Sequence, residues 1–449
     1  MKRSNTSKII AFAPSFSNWI YDRTSYFSTY HLGQAVVPLD KRFSYVNSGP
    51  LGEYSVEYGD YRPLEISTFP FMLCFQNATP DAFSLSLRMG SRRSESIMLW
   101  VWTANRGKPV RENATLAFGA DGNLVLADSD GSIAWQTGSA NKGVVGLELL
   151  EIGNLVLYDA KGAYIWQSFD HPSDTLLIGQ GLHLNGATKL VSRLSYTEDA
   201  DGPYTLVMEQ RHLAMYYKSK NAANPLLYYK DDVFGDGKGV LANAVFGVNS
   251  DAYYTNDLFL AFDMKNSLTS GTRLLARPKY NATYSMLRLD IDGNLRIHTY
   301  YPNVDWGAWE VTYEVLNRED GVERTSECRL PKRCGALGVC EDNQCVACPT
   351  AAGLLGWSKS CAPPVLPPCK GSRANVDYYK VVGVEHFLNG YTEGGRMKIG
   401  DCRDKCSKDC KCSGFFYREE SSKCLLAPEL GTLIKVSNPA HVGYIKMSK

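Results

Sequence analysis

Residues Gly122–Thr137 read GNLVLADSDGSIAWQT, and residues Gly153–Ser168 read GNLVLYDAKGAYIWQS; nine of 16 positions agree, without a gap, at an offset of 31. Each copy holds a strand-length apolar run, an Asp- or Gly-bearing turn, and a second run that ends in Trp. The glycine ahead of Asn123 and Asn154 supplies a backbone tolerant of positive φ, which a tight turn needs. Trp135 follows Asn123 by 12 residues, and Trp166 follows Asn154 by the same 12. A looser copy, DGNLRIHTYYPNVDW, keeps that spacing from Asn294 to Trp306. One supersecondary unit is therefore used at least three times: strand, turn, and a strand closing on a buried Trp.

Working outward, residues 41–180 alternate short Val-, Leu- and aromatic-rich runs with Gly, Asn and Asp turns, and no stretch there carries a ten-residue helical period. This is an all-β domain. The looser copy lies about 140 residues downstream, so residues 185–315 read as a second, diverged β domain. Residues 1–40 lack periodicity and read as an N-terminal tail. Residues 325–370 form a short, loop-rich cysteine module that runs into the proline-rich spacer APPVLPPC. Residues 371–449 hold one helix candidate, DCRDKCSKDCKC. There Cys402, Cys406 and Cys410 stack at four-residue spacing and Asp401 caps the N-terminus. The flanking DYYKVVGVEHF and HVGYIKM read as strands. The fold class is mainly β, with a small disulfide-rich module and a helix-bearing α+β end.

The 449 residues suit roughly three or four domains at about 150 residues each. A formal charge of +1 lacks the basic excess of a nucleic-acid footprint. No run approaches the ~20 apolar residues of a membrane helix. Of 13 cysteines, 12 fall between Cys328 and Cys424. So dense and even a set reads as a disulfide framework in an oxidising compartment. The sequons at Asn5, Asn77, Asn113 and Asn281 agree with secretion. The opening stretch does not resemble a signal peptide, because its apolar run is only Ile9–Ala13 before Pro14. The expectation is a secreted chain whose natural start lies upstream.

VWTANRGKPV (Val101–Val110), the GNLVL repeats and WQSFDHPSDTLL (Trp166–Leu177) resemble the plant bulb-type, mannose-binding-like lectin domains of S-locus glycoproteins. The Cys328–Cys361 block resembles their EGF-like module, and the last cysteines resemble a PAN/apple domain. The match is closest to the secreted epidermal-type and PAN-domain glycoproteins of plants. It implies a β-prism for residues 41–180 and an S-locus-type middle region for 185–315. It also implies disulfides Cys328–Cys340, Cys334–Cys345, Cys348–Cys361, Cys402–Cys424 and Cys406–Cys412, with Cys369 and Cys410 left to pair.

The family writes its mannose pocket Q-x-D-x-N-x-V-x-Y. The first copy matches at Asp121, Asn123 and Val125, but has Gly119 and Ala127 in place of Gln and Tyr. The second matches at Asn154, Val156 and Tyr158, with Leu150 and Ile152 for Gln and Asp. The third keeps Asp292 and Asn294, flanked by Asp290, Arg296 and His298. No copy is complete, and each lost polar partner forfeits about 0.5–1.5 kcal/mol. The plainer reading stands beside the sugar-binding one: Asn and Asp make turns, while Val and Trp fill the core. The implied partners are mannose-type glycans or a protein of the cell surface or wall.

Cys74, inside FPFMLCF, reads as a buried thiol, with an intermolecular disulfide as the alternative. DIDGNL fails as a calcium loop, since Leu295 and Tyr301 stand where Gly and Glu belong. Zinc at the last cysteines, redox chemistry at Cys345–Cys348 and catalysis at His171 are set aside. Neither a metal nor another cofactor is expected, and nothing groups a nucleophile, base and oxyanion donor. Two classes remain, both non-enzymatic: a recognition glycoprotein, and a structural or protective wall glycoprotein that has lost sugar binding. Full reduction is expected to unfold the segment from Cys328 to Cys424; an unchanged circular dichroism spectrum and unchanged protease resistance would refute the framework.

Overall fold

The computed structural model describes residues 36–53, 56–91, 97–251, 255–304, 307–317, 325–366, 376–392 and 394–449. Three sheets form the first β body. They hold strands Asp60–Thr68, Phe71–Thr79, Ala82–Met89 and Leu99–Thr103; Phe43–Val46, Thr115–Phe118, Leu124–Ala127 and Ile133–Gln136; and Val144–Leu149, Leu155–Asp159 and Tyr164–Gln167. Each contributes one indole to the axis: Trp102, Trp135 and Trp166 meet edge to face, with ring centroids 5.7–6.2 Å apart. That geometry lets each ring edge meet a neighbour's π face. Leu87, Leu126 and Leu157 sit opposite the three tryptophans in register, and all three leucines are buried.

The repeat spacing marked Trp135 and Trp166 but not the third member of this triad, Trp102. Trp306, which shares the spacing in the second, diverged β domain, lies outside the described residues. Nine residues separate strands Ala82–Met89 and Leu99–Thr103, against five between the strands of the Gly122 copy. The longer connection erases the 12-residue spacing. The expected tail also ends earlier than residue 40, because Val37 is fully buried in the first core and its amide donates to the Ala120 carbonyl at 3.1 Å.

The second body is again three four-stranded sheets. Strands Thr175–Leu177 and Gly181–His183 belong to it, pairing with Ser285–Leu289 and Val240–Asp251. At three residues each they are too short to carry a readable alternation, which is why the sequence boundary fell at 180–185. The Ser285–Leu289 strand is buried at all five positions. Met286 faces the first core, while Leu287 and Leu289 face the second. Leu177 and Leu176 divide in the same way. A strand covered on both faces loses the polar alternation of a half-solvated one.

The two bodies are also joined by buried charge. Arg288 makes a two-pronged contact with Glu57 (2.8 and 3.1 Å) and bonds Asp290 at 2.6 Å. Arg106 reaches Asp174 at 2.7 Å and the Val191 carbonyl at 2.7 Å. Burial alone would raise the Asp290 carboxyl, but Arg288, His298 and Arg296 hold it well below the carboxylate range.

In the C-terminal quarter, the cysteine module and the helix-bearing end share one sheet. Strand Leu337–Glu341 pairs in parallel with Gly431–Lys435, so the expected spacer separates the two parts in sequence only. Five disulfides join Cys328–Cys340, Cys334–Cys345, Cys348–Cys361, Cys402–Cys424 and Cys406–Cys412. Cys410 is also disulfide-bonded, while Cys369 lies outside the described residues. The helix spans Ile399–Lys408. Its N-cap is Lys398, and Asp401 instead occupies the first turn, where it complements the helix dipole. Cys410 falls beyond the last turn, so only Cys402 and Cys406 stack, both fully buried. Cys74 is a free, buried thiol, pushed up to about 12 by burial.

His386 gives this region a pH dependence. It is fully buried, with Nε2 2.8 Å from the Glu429 carbonyl while Nδ1 accepts from the Leu388 amide at 3.3 Å. Both nitrogens are thus satisfied in one neutral tautomer. Burial pushes the imidazole from 6.5 down to about 4. The neutral form is the folded form, so its contribution is complete above pH 6.5 and is lost as pH falls toward 4. Urea unfolding at pH 7 and 4.5 is expected to differ by about 2–3 kcal/mol from this group. His386→Gln is expected to flatten that interval; an unchanged slope in the variant would refute the assignment.

Candidate functional site

The two GN dipeptides and their counterpart at Gly293–Asn294 adopt the same local structure. Gly122, Gly153 and Gly293 have φ of +77°, +83° and +88°. A Cβ there would stand 2.6 Å from Val144, 2.7 Å from Leu177 and 2.6 Å from Tyr204, respectively. Conformation and close packing both require glycine.

The asparagine that follows closes the unit from within. Asn123 Nδ2 donates to Gln136 Oε1 at 2.8 Å, and its Oδ1 accepts from the Thr137 hydroxyl (3.0 Å) and the Ser139 amide (3.2 Å). Asn154 repeats the pattern with Gln167 (2.9 Å), Ser168 (3.2 Å) and the Phe169 amide (3.3 Å). Asn294 donates to the Leu316 carbonyl at 2.7 Å and accepts from its amide at 3.0 Å. All three are buried. Each clips the start of one strand to the end of a later one, which engages its carbonyl oxygen and one of its two amide protons inside the fold.

The remaining motif positions differ between copies. Asp121 is exposed and caps its own turn, accepting from the Asn123 amide at 3.2 Å. Val125 is half-buried on the outer face. Val156 is fully buried. Tyr158 lies over Gly146, its hydroxyl accepts from Lys41 Nζ at 3.2 Å, and that ammonium stands 5.5 Å from the ring centroid. In the third copy, charges answer one another: Arg296 bridges Asp290 and both oxygens of Asp292, each at 2.9 Å, and binds Glu314. His298 adds a 3.2 Å contact to Asp290.

A second feature was not legible from motifs. An open cleft of about 1020 Å³ lies where the two bodies meet, lined by Trp102, Trp135, Phe169, His171, His183 and Asp201 among others. His171 stacks on Trp166 at 5.5 Å, and its carbonyl accepts the Trp102 indole N–H at 2.8 Å. Burial lowers the His183 imidazole, with Asp170 opposing it. The WQSFDHPSD run carried His171 and Asp170 in plain view, but only pairing of the two bodies brings His183 and Asp201 across from them.

Of the sequon asparagines, Asn113 and Asn281 are exposed, whereas Asn77 is half-buried within a strand; Asn5 lies outside the described residues. The clip geometry sets an expectation for stability. Asn154→Ala strands the Gln167 and Ser168 partners and should lower unfolding free energy by about 1–3 kcal/mol in urea titrations. Asp121→Ala, on an exposed turn, should stay within about 0.5 kcal/mol. Equal effects would overturn the internal role of the asparagine.

The D-mannose binding lectin family model matches residues 99–196. "EP1-like glycoprotein 4" of Arabidopsis thaliana is 48% identical over 415 residues, covering 92% of this chain and 93% of that protein. "Epidermis-specific secreted glycoprotein EP1" of Daucus carota is 54% identical over 350 residues, covering 74% of this chain and 90% of that protein. More distantly, "G-type lectin S-receptor-like serine/threonine-protein kinase SD2-5" of Arabidopsis thaliana is 26% identical over 357 residues, covering 78% of this chain but 40% of its own length. Similarity extending over nearly the full length of both partners, with the repeated GN clips and their tryptophans, makes the chain a member of the EP1-like glycoprotein family, with a D-mannose binding lectin domain within it.

Proposed function

We propose that this chain is a non-catalytic, extracellular recognition glycoprotein whose lectin repeats act as scaffold, and that it binds an oligosaccharide in the cleft between the two β bodies. The observation that carries this reading is the fate of the repeat asparagines: Asn123, Asn154 and Asn294 are turned inward. The cleft, by contrast, offers what a saccharide needs. Its size reaches the upper end of small-molecule sites, about 300–1,000 Å³, and it combines aromatic surface with a few polar groups. Indole and imidazole faces suit the C–H side of a pyranose, while Asp201 and His183 can meet its hydroxyls. Export is supported by the five described disulfides and by the secreted relative from carrot. The same reading divides the chain into a lectin-like prism, a second lectin-like body, an EGF-like module and a PAN-type end.

The test is a glycan array probed with secreted, oxidised protein, followed by titration of any hit. Saturable binding is expected, weakened at least tenfold by His183→Ala with Asp201→Ala and unchanged by Asp121→Ala with Tyr158→Phe. Binding lost only in the second pair would return the site to the repeats. Silence across the array from folded protein would favour the structural or protective wall role.

A further inference from the structure

Away from the cleft, a second groove of about 720 Å³ runs along the seam between the bodies, walled by Phe69, Tyr280, Tyr284 and Tyr301. Two of these rings are unusually open for large aromatics: Phe69 is 54% exposed and Tyr280 is 52% exposed. Each is nonetheless held by a buried or half-buried partner. Phe69 meets Tyr284 edge to face at 5.9 Å, and Tyr280 meets Tyr301 at 5.3 Å. Each ring thus presents open apolar surface to water beside a neighbour that packs against it.

On the rim of this groove stands Asn281, in the sequon Asn281-Ala-Thr. Its Oδ1 accepts from the Thr283 amide (2.9 Å) and the Thr283 hydroxyl (2.5 Å), which fixes the side chain in a turn. The amide nitrogen Nδ2 has no hydrogen-bond partner among the described residues, and the side chain is exposed. The other two described sequons lack this setting. Asn113 is exposed but stands apart from this groove's lining, while Asn77 is half-buried with its Oδ1 enclosed.

We propose that Asn281 carries an N-linked glycan whose inner sugars lie in the aromatic groove beside it. The bond forms between Nδ2 and the anomeric carbon of a lipid-pyrophosphate-linked oligosaccharide. The anomeric carbon–oxygen bond breaks, the pyrophosphate leaves with the electron pair, Nδ2 gives up one proton, and nothing is oxidised or reduced. Covalent attachment at the rim holds the first sugar at the groove mouth. The effective concentration is then in the millimolar range or above, so ring contacts too weak to capture a free sugar suffice. The glycan would cover Phe69 and Tyr280 and press on both bodies at once, acting as a strap across their seam.

The experiment uses the full secreted chain, made in cells that keep glycans at the high-mannose stage. Mass spectrometry first establishes occupancy at Asn281 and Asn113. Native protein is then treated with an endo-β-N-acetylglucosaminidase, and release is followed at each site. Asn281 is expected to be released at least tenfold more slowly than Asn113, and Tyr280→Ala is expected to remove that protection while leaving Asn113 unchanged. A second arm needs no enzyme: Asn281→Gln should lower Tm in the wild-type background and leave it unaltered in the Tyr280→Ala background. An unoccupied Asn281, equal release at both sites, or protection that survives Tyr280→Ala would overturn the proposal.

Discussion

The strand Ser285–Leu289 has no face turned to water, and the rest of the molecule is arranged around that fact. Met286 belongs to one core, and Leu287 and Leu289 to the other. Neither body can keep its interior dry without its neighbour. Arg288 sharpens the constraint, because a guanidinium buried in such a place is tolerable only if its partners are already positioned. Glu57 comes from the first body and Asp290 from the second, so the guanidinium has both of these carboxylate partners only when the two bodies are assembled. Two β bodies that could have been beads on a string are thereby made one object.

The same principle explains how the repeat could be read correctly and its use left open. Asn at the head of each GNLVL-like run is demanded by the fold: it ties a strand start to a strand end at three separate places. Such a residue has a structural task whether or not a sugar ever visits. The positions around it carry the information about binding, and in this chain several of them make internal contacts. Tyr158 holds Lys41, and Arg296 gathers Asp290, Asp292 and Glu314.

What the sequence made legible was local and periodic. Strand-length runs, the Gly-Asn turn, the helix near Cys402 and the all-β character all follow from spacing within about a dozen residues. What stayed hidden depends on distant partners. Trp102 escaped because a longer connection broke the 12-residue interval, although its own strand is as apolar as the others. The short strands Thr175–Leu177 and Gly181–His183 have too few residues to show a period, and only their pairing places them in the second body. The cleft and the aromatic groove both lie at the seam, so no single stretch of sequence contains either one.

The shared sheet of the C-terminal quarter carries a consequence for how the protein is made. Leu337–Glu341 lies in parallel against Gly431–Lys435, and the ion pair across them, Lys435 to Glu341, closes a gap of 94 residues. At the ribosome's pace of about 5–20 residues per second, the second strand emerges roughly 5–20 seconds after the first. During that interval the strand Leu337–Glu341, paired on its other side with Gln344–Thr350, has one edge still bare. The sheet that joins the two cysteine-bearing parts is therefore completed only once Gly431–Lys435 has emerged.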